Sequence, residues 1–341
     1  MDQPSDTPSA QATILRITGQ ILPARCIGIV AELGVADHLA REPMKTEALA
    51  QSCHVHGPSL YRIMRFLASI GIFEQQDDGT FKNTASSDVL REGVTGSVRP
   101  MVRTAWQDVV WDTYKALPQA LQNGDTAFEI AHERPLFEHL AVEQHLGALF
   151  DASMALMSGP ENNVIAKSYP FGDATNVMDI GGGRGGLLAA VLNEHENLAG
   201  TLFDQEQVVA EPTYLAEENL LGRCTLLAGD FFESIPAGSD IYMLKRILHD
   251  WSDTYAIRIL HSIKCAMTPD SRIAVIDAVI KPGNDADPNK YLDVGIMTLL
   301  EGRERTAEEF ETLFTEAGLQ LLRIVSTPAP STMSIIEGAL A

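Results

Sequence analysis

Five glycines fall within six residues of Val177-Met-Asp-Ile-Gly-Gly-Gly-Arg-Gly-Gly186, after an apolar run carrying Asp179 and before an apolar run from Leu187 to Leu192. Strand, glycine turn and helix together form the layout of a nucleotide-cofactor site. Glycine lets the backbone turn tightly and approach a ligand closely, and the first turn of the helix offers that ligand free N–H groups. The spacing admits two cofactors. Gly181, Gly183 and Gly186 fit the G-x-G-x-x-G pattern of dinucleotide sites, whereas Asp179, Gly181, Gly183 and Gly185 fit the D-x-G-x-G-x-G pattern of S-adenosylmethionine (SAM) sites.

Two acids follow at the ends of the next apolar runs. Asp204 closes Leu-Phe-Asp, 23 residues after Gly181, where a carboxylate accepts hydrogen bonds from a ribose diol. Asp230 and Phe231 close the next run, and an acid beside an aromatic ring suits the amine and face of an adenine. The fourth run ends in Met243-Leu-Lys-Arg-Ile-Leu-His-Asp-Trp-Ser-Asp253, placing His249, a side chain able to take a proton near neutral pH, beside the same strand ends.

Leu-His-Asp-Trp at this place, with the glycine run before it and Gly302-Arg-Glu-Arg-Thr306 after it, resembles the plant-type and bacterial small-molecule O-methyltransferase family. The resemblance extends over nearly the whole chain. It includes Phe150-Asp-Ala-Ser-Met154, with Ser153 where the family has alanine, and it favours SAM over a dinucleotide. It implies that His249 is the general base for a phenolic hydroxyl, flanked by the carboxylates Glu304 and Asp277. The latter stands where the family usually has the longer Glu. For SAM it implies Gly181, Gly183, Asp204, Asp230, Phe231, Lys245 and Arg246, with Ser158 as a candidate for the methionine carboxylate. For an aromatic acceptor it implies walls of Met154, Met157, Trp106, Met297 and Leu300. No metal is implied. Glu301 replaces the small residue expected before Gly302. The family also includes N- and C-methylating members and SAM-binding relatives that do not methylate, and these remain alternatives.

The elements that must position these residues are legible from periodicity. Strand-like runs at 176–180, 200–203, 224–228, 241–244 and 272–276 alternate with helical ones, which predicts a doubly wound, mostly parallel sheet over residues 176–341. Residues 319–325 and 333–340 should add an antiparallel hairpin at its edge. Residues 101–175 read as a helical connection contributing to the acceptor pocket. Ahead of them, residues 11–100 read as helices followed by a hairpin around Asp78-Gly79, a winged-helix-like layout that serves dimerisation in the family. Thr46 is a candidate cap, and Pro58 sits near the first turn of a helix with Leu60, Ile63, Met64, Phe66 and Leu67 inward. Residues 1–10 read as a disordered tail. Ile14, Ile17, Ile21, Leu22, Ile27 and Ile29 are more apolar than a chain end needs, so a homodimer contact is expected there.

Composition narrows the partners. The 341 residues carry 25 Lys and Arg against 46 Asp and Glu, a formal net charge of −21, which argues against nucleic acid and anionic membrane surfaces. A winged-helix regulator is the competing reading from another class, but only Arg62 and Arg65 lie on the would-be recognition helix. Cys26, Cys53, Cys224 and Cys265 are scattered and read as reduced thiols of a cytoplasmic protein. The polar, acidic first residues resemble neither a secretory signal nor a transit peptide, and no apolar stretch is expected to reach membrane-spanning length.

Overall fold

The computed structural model describes residues 9–341. The chain forms two compact units: one holds the residues up to Trp111 together with Glu143–Leu156, the other Asp112–Val142 and Met157–Ala341. The boundaries therefore differ from those expected at residues 100 and 175. Residues 112–142 pack with the second unit, and the helix Gln144–Ser168 begins in the first unit and ends in the second.

In the first unit, the helices Ala10–Thr18, Ile21–Glu32, Val35–Leu39, Thr46–Ser52 and Gly57–Ser69 precede a hairpin of β1 (Phe73–Gln75) and β2 (Phe81–Asn83). Leu60, Met64 and Leu67, spaced by one helical turn, pack with Phe73 and Phe81 in its core. Three expectations need correction. Thr46 lies inside its helix and is buried, and Lys45 occupies the cap position without a side-chain bond. Ser9 caps the first helix, accepting from Ala12 N–H at 3.2 Å, and Ala10 begins it; residues 1–8 of the expected tail lie outside the described residues. The stretch Ala10–Glu32 does reach spanning length, 23 residues of apolar composition. It is built as two helices, interrupted at Gly19 and Gln20. Ile14, Leu15, Ile17, Ile21 and Leu22 are 54–70% exposed, whereas Ile27 packs against its own unit's core.

The second unit is built on a seven-stranded sheet. Its strands are β3 (Asn176–Ile180), β4 (Ala199–Asp204), β5 (Cys224–Ala228), β6 (Ile241–Lys245) and β7 (Arg272–Asp277), with β10 (Leu319–Ser326) and β11 (Ser334–Leu340). A separate parallel pair, β8 (Val279–Ile280) and β9 (Arg305–Thr306), lies between β7 and β10 in the chain. The order is β10-β11-β7-β6-β3-β4-β5; β3 to β7 run parallel, and β11 is antiparallel to both of its neighbours. Alternate residues feed two cores. Val177, Leu202, Met243 and Ile276 pack in one, while Met178, Phe203, Tyr242 and Val275 pack in the other. Burial on both faces explains the continuous apolar runs of β3, β6 and β7. The chain proceeds from β3 outward through β4 and β5, then returns to β6 on the other side of β3. That reversal is the topological switch point at whose carboxyl end open α/β sheets bind ligands. Gly181, Arg246 and His249 all follow strands that meet there.

Candidate active site

The glycine turn leaves β3 with Gly181, Gly183 and Gly185 at φ of +65°, +59° and +83°, a region costly for residues with a Cβ. Gly181 N–H donates to Phe203 O at 2.8 Å, and Gly183 N–H donates to Asp204 Oδ2 at 2.9 Å. Asp204 Oδ1 accepts from Gln205 N–H at 2.7 Å. Burial pushes the Asp204 carboxyl above its ordinary value, opposed by these two backbone bonds. A Cβ on Gly181 would strike Ile247, but one on Gly183 would meet nothing within 4 Å, so the turn faces a hollow there. The helix Gly186–Glu194 that follows has neither a side-chain bond from its cap residue nor an acid in its first turn, and of its first N–H groups that of Leu188 faces the Asp179 carboxylate.

Beneath the turn lies Asp179, 1% exposed, its carboxylate approached by the Leu188 backbone N–H but by no side-chain donor among the described residues. Burial raises its pKa to about 7, against the lowering charge of Lys245 and the Leu188 N–H. A buried carboxylate without a side-chain partner, beside the glycine turn, suits a cationic ligand, and SAM carries both an ammonium and a sulfonium. Phe231 reaches toward Gly181 and joins an edge-to-face aromatic group, 4.8 Å from Phe232 and 6.3 Å from Trp251. Asp230 is exposed and caps its own turn, Oδ1 accepting from Phe232 N–H at 2.7 Å.

Lys245, Arg246 and Ser158 come together, in a network wider than their own three side chains. Lys245 Nζ donates to Ser158 Oγ and Asn162 Oδ1, each at 2.6 Å, and to Ser158 O at 3.1 Å. Arg246, at a φ of +55°, donates to Glu161 Oε2 at 2.9 Å. Burial lowers the Lys245 pKa to about 8, with Glu161 opposing. The lysine charge thus ties the second half of the helix Gln144–Ser168 to the end of β6.

The expected base lies on a short 3₁₀ turn, Leu248–Asp250, and is 6% exposed. His249 Nδ1 lies 2.8 Å from Glu304 Oε1. A carboxylate only accepts, so this bond places a proton on Nδ1 and turns Nε2 away from Glu304. Asp250 Oδ1 is 3.3 Å from Nε2. Asp277, fully buried, has both oxygens without a hydrogen-bond partner among the described residues, so it acts on the ring through its field alone. Burial by itself would lower the His249 pKa. The Asp250 charge, the Glu304 hydrogen bond and the Asp277 charge outweigh it and raise the value to about 9. Burial raises Asp277 to about 7 and Asp250 to about 6, each opposed by the His249 charge.

Of the expected acceptor walls, Trp106 and Met154 belong to the first unit, and Met157, Met297 and Leu300 to the second. Trp106 packs on Trp111 at 5.1 Å, lies under Arg25 and lines a cavity of about 310 Å³. Met154 and Met297 are 36% and 39% exposed. Ser153 does not face a ligand: its hydroxyl is buried, 2.7 Å from Thr104 Oγ1 and 2.8 Å from Leu149 O. Glu301 is exposed, and its charge adds to the burial that raises Glu129.

Sequence reasoning passed over four residues here: Asp250 beside Nε2, Glu161 and Asn162 in the lysine network, and Arg305. Asp250 and Arg305 lie inside segments already singled out. Glu161 and Asn162 carried no signal, because helical polar residues usually face water.

A family model described as the O-methyltransferase domain matches residues 114–320, and one described as the O-methyltransferase dimerisation domain matches residues 16–93. The chain is 35% identical to the mitomycin biosynthesis 6-O-methyltransferase of Streptomyces lavendulae, covering 92% of this chain and 90% of that protein. It is 34% identical to the phenazine O-methyltransferase PhzM of Lysobacter antibioticus, over 97% and 96% of the two chains. Among solved structures, the mitomycin 7-O-methyltransferase MmcR superposes with a TM-score of 0.92 at 34% identity, over 98% of each chain. NcsB1, an O-methyltransferase from neocarzinostatin biosynthesis in complex with SAM and 2-hydroxy-5-methyl naphthoic acid, gives 0.83 at 28% identity, over 96% of this chain and 98% of that one.

Proposed function

The chain belongs to the O-methyltransferase family, with the dimerisation domain ahead of the O-methyltransferase domain, and from that premise we propose that it methylates a hydroxyl of an aromatic secondary metabolite at the expense of SAM. The observation that carries the reading is the 2.8 Å bond from His249 Nδ1 to Glu304, at the strand ends that also hold the glycine turn. The backbone at Gly181 and Gly183 would receive SAM, with Asp204 on the ribose diol and Asp230 and Phe231 on the adenine. Asp179, Lys245, Arg246 and Ser158 would shape the amino-acid end. When bound, SAM supplies a methyl group already activated by its sulfonium.

His249 and its neighbours then have two tasks: holding the acceptor oxygen in line and removing its proton. His249 Nε2 takes that proton, Glu304 fixes the ring and its tautomer, and Asp250 and Asp277 stabilise the imidazolium that results. Within the second unit we assign Met157, Met297 and Leu300 to the acceptor's surroundings, and we assign the exposed row Ile14, Leu15, Ile17, Ile21 and Leu22 to a homodimer contact.

The test is incubation of the purified enzyme with SAM and a panel of phenols, hydroxynaphthoates and hydroxyphenazines, read by mass spectrometry. Gain of one methyl group is expected, with His249→Gln slower by roughly 10²- to 10⁴-fold on weakly acidic hydroxyls. Absence of transfer to every hydroxyl, or full activity of His249→Gln on such an acceptor, would overturn the reading.

A further inference from the structure

His249 is held at the ring by Glu304 and, within the three-residue turn Leu248–Asp250, by Asp250 alone, whose Oδ1 lies 3.3 Å from Nε2; other contacts must hold the peptide groups of the turn itself. The contacts that do so come from 302–306. Arg305, 1% exposed and the bulkiest fully buried side chain among the described residues, spreads its guanidinium across the whole turn. Nη1 donates to Leu248 O and Nη2 to Trp251 O, both at 2.9 Å, so the carbonyls on either side of His249 are bound by one rigid group. Nε donates to Asp253 Oδ1 at 3.0 Å, adding the first residue of the helix Asp253–Ala266. Gly302 also lies close against the backbone of the turn. A Cβ there would overlap His249 O and the backbone of Asp250 and Trp251.

We infer that Arg305, with Gly302 packed against the same turn, is a positioning residue that sets where the His249 ring points, although it touches neither the ring nor any ligand. The inference rests on the reading of His249 as the proton acceptor. One short segment thereby makes three kinds of contact with the base: Gly302 against its peptide, Glu304 on its Nδ1, and Arg305 on the flanking carbonyls. The segment is itself anchored. Arg305 and Thr306 pair with Val279 and Ile280, two residues beyond Asp277. Thr306 then opens the helix Ala307–Glu316 with a reciprocal cap, Thr306 N–H donating to Glu309 Oε2 at 2.8 Å and Glu309 N–H to Thr306 Oγ1 at 3.3 Å. Only a planar fork reaches two carbonyls and a carboxylate at once, so lysine cannot reproduce the brace.

The test follows the His249 Nδ1 proton itself in the full-length enzyme. Hydrogen-bonded to a buried carboxylate, it should give a downfield proton resonance that is absent from His249→Gln. Arg305→Met should shift or abolish that resonance and slow methyl transfer on the order of 10- to 100-fold, as displacement of a reacting group by about an ångström does. SAM affinity by calorimetry should stay within about twofold, because the glycine turn is untouched, and Arg305→Lys should recover only part of the signal. Gly302→Ala presses a methyl group on the His249 carbonyl and the Asp250–Trp251 peptide and should reproduce the effect, which preserves the test if Arg305→Met does not fold. An unshifted resonance of native intensity in both variants would overturn the inference while leaving the base reading intact. A displaced resonance with unimpaired transfer, together with an active His249→Gln, would instead overturn the base reading.

Discussion

Glu304→Gln isolates the carboxylate that holds the base, and its effect on the pH profile follows from the geometry. With a pKa of about 9, only roughly 1% of His249 is unprotonated at pH 7 in the free enzyme. For an acceptor whose own hydroxyl ionises at higher pH, kcat/KM of the native enzyme should therefore rise through an acid limb near pH 9. Glutamine keeps an acceptor oxygen for the 2.8 Å contact but removes the charge. Asp250 and Asp277 remain to raise the value, while burial continues to lower it. We expect the limb to fall by about one to two pH units, each worth about 1.4 kcal/mol between the protonation states. The alkaline plateau should drop roughly 10- to 100-fold, because a weaker and less firmly oriented base remains. Near pH 7 the loss should be smaller, since more of the imidazole is then free. The assay is kcat/KM from pH 6 to 10 for both proteins, with SAM saturating. An acid limb at the same pH in both would refute the claim that Glu304 raises the proton affinity of His249. Stability carries the same signature. A folded pKa raised from 6.5 makes the His249 contribution complete below about pH 6.5 and lost as pH climbs through about 9.

Four further outcomes follow from the same contacts. Asp179→Asn should raise the Tm of the cofactor-free protein above pH 7 and weaken SAM binding at least tenfold; the cost of ionising this buried group accrues between about pH 4 and 7, so the Tm gain should shrink at pH 5. Lys245→Met should lower SAM affinity about tenfold in calorimetry and reduce Tm, because Ser158 and Asn162 lose their shared charge-assisted donor. Asp277→Asn, which breaks no hydrogen bond, should cost less than about fivefold in kcat, well below the plateau loss of Glu304→Gln. Ile17→Asp with Leu22→Asp, on side chains 57% and 65% exposed, should yield a monomer by light scattering without altering the far-ultraviolet spectrum.

The strand–turn–helix frame of the sheet unit was legible because its signals are local. A strand end, three left-handed glycines and an acid at the next strand end are each written in a few consecutive residues. The parallel sheet then brings those ends together without further instruction. Periodicity likewise gave the β10–β11 edge hairpin and the apolar row at the N-terminus. It overlooked that Ala10–Glu32 reaches spanning length, because the run is divided at Gly19 and holds two helices. Domain boundaries at residues 100 and 175 were drawn where the pattern changes, yet residues 112–142 pack with the sheet unit, the helix Ala127–His132 meeting Pro288–Leu299. No local pattern encodes that pairing.

The base shows the limit most clearly. His249 and Glu304 stand 55 positions apart, and resemblance paired them correctly. Asp277, one methylene shorter than the Glu usual in the family, makes no hydrogen bond among the described residues. What neither periodicity nor resemblance conveyed is that the partners of the imidazole differ in kind. Glu304 acts through a directed bond, Asp250 and Asp277 through charge, and Arg305 through the peptide groups on either side. The imidazolium is the main cation among these carboxylates, and Arg305 adds a second, buried one while its donors are spent on carbonyls and Asp253, so it does not compete for Nε2. The consequence is a division of labour: Glu304 shares with Asp250 and Asp277 in raising the proton affinity, and the direction in which it is applied is set at Gly302 and Arg305.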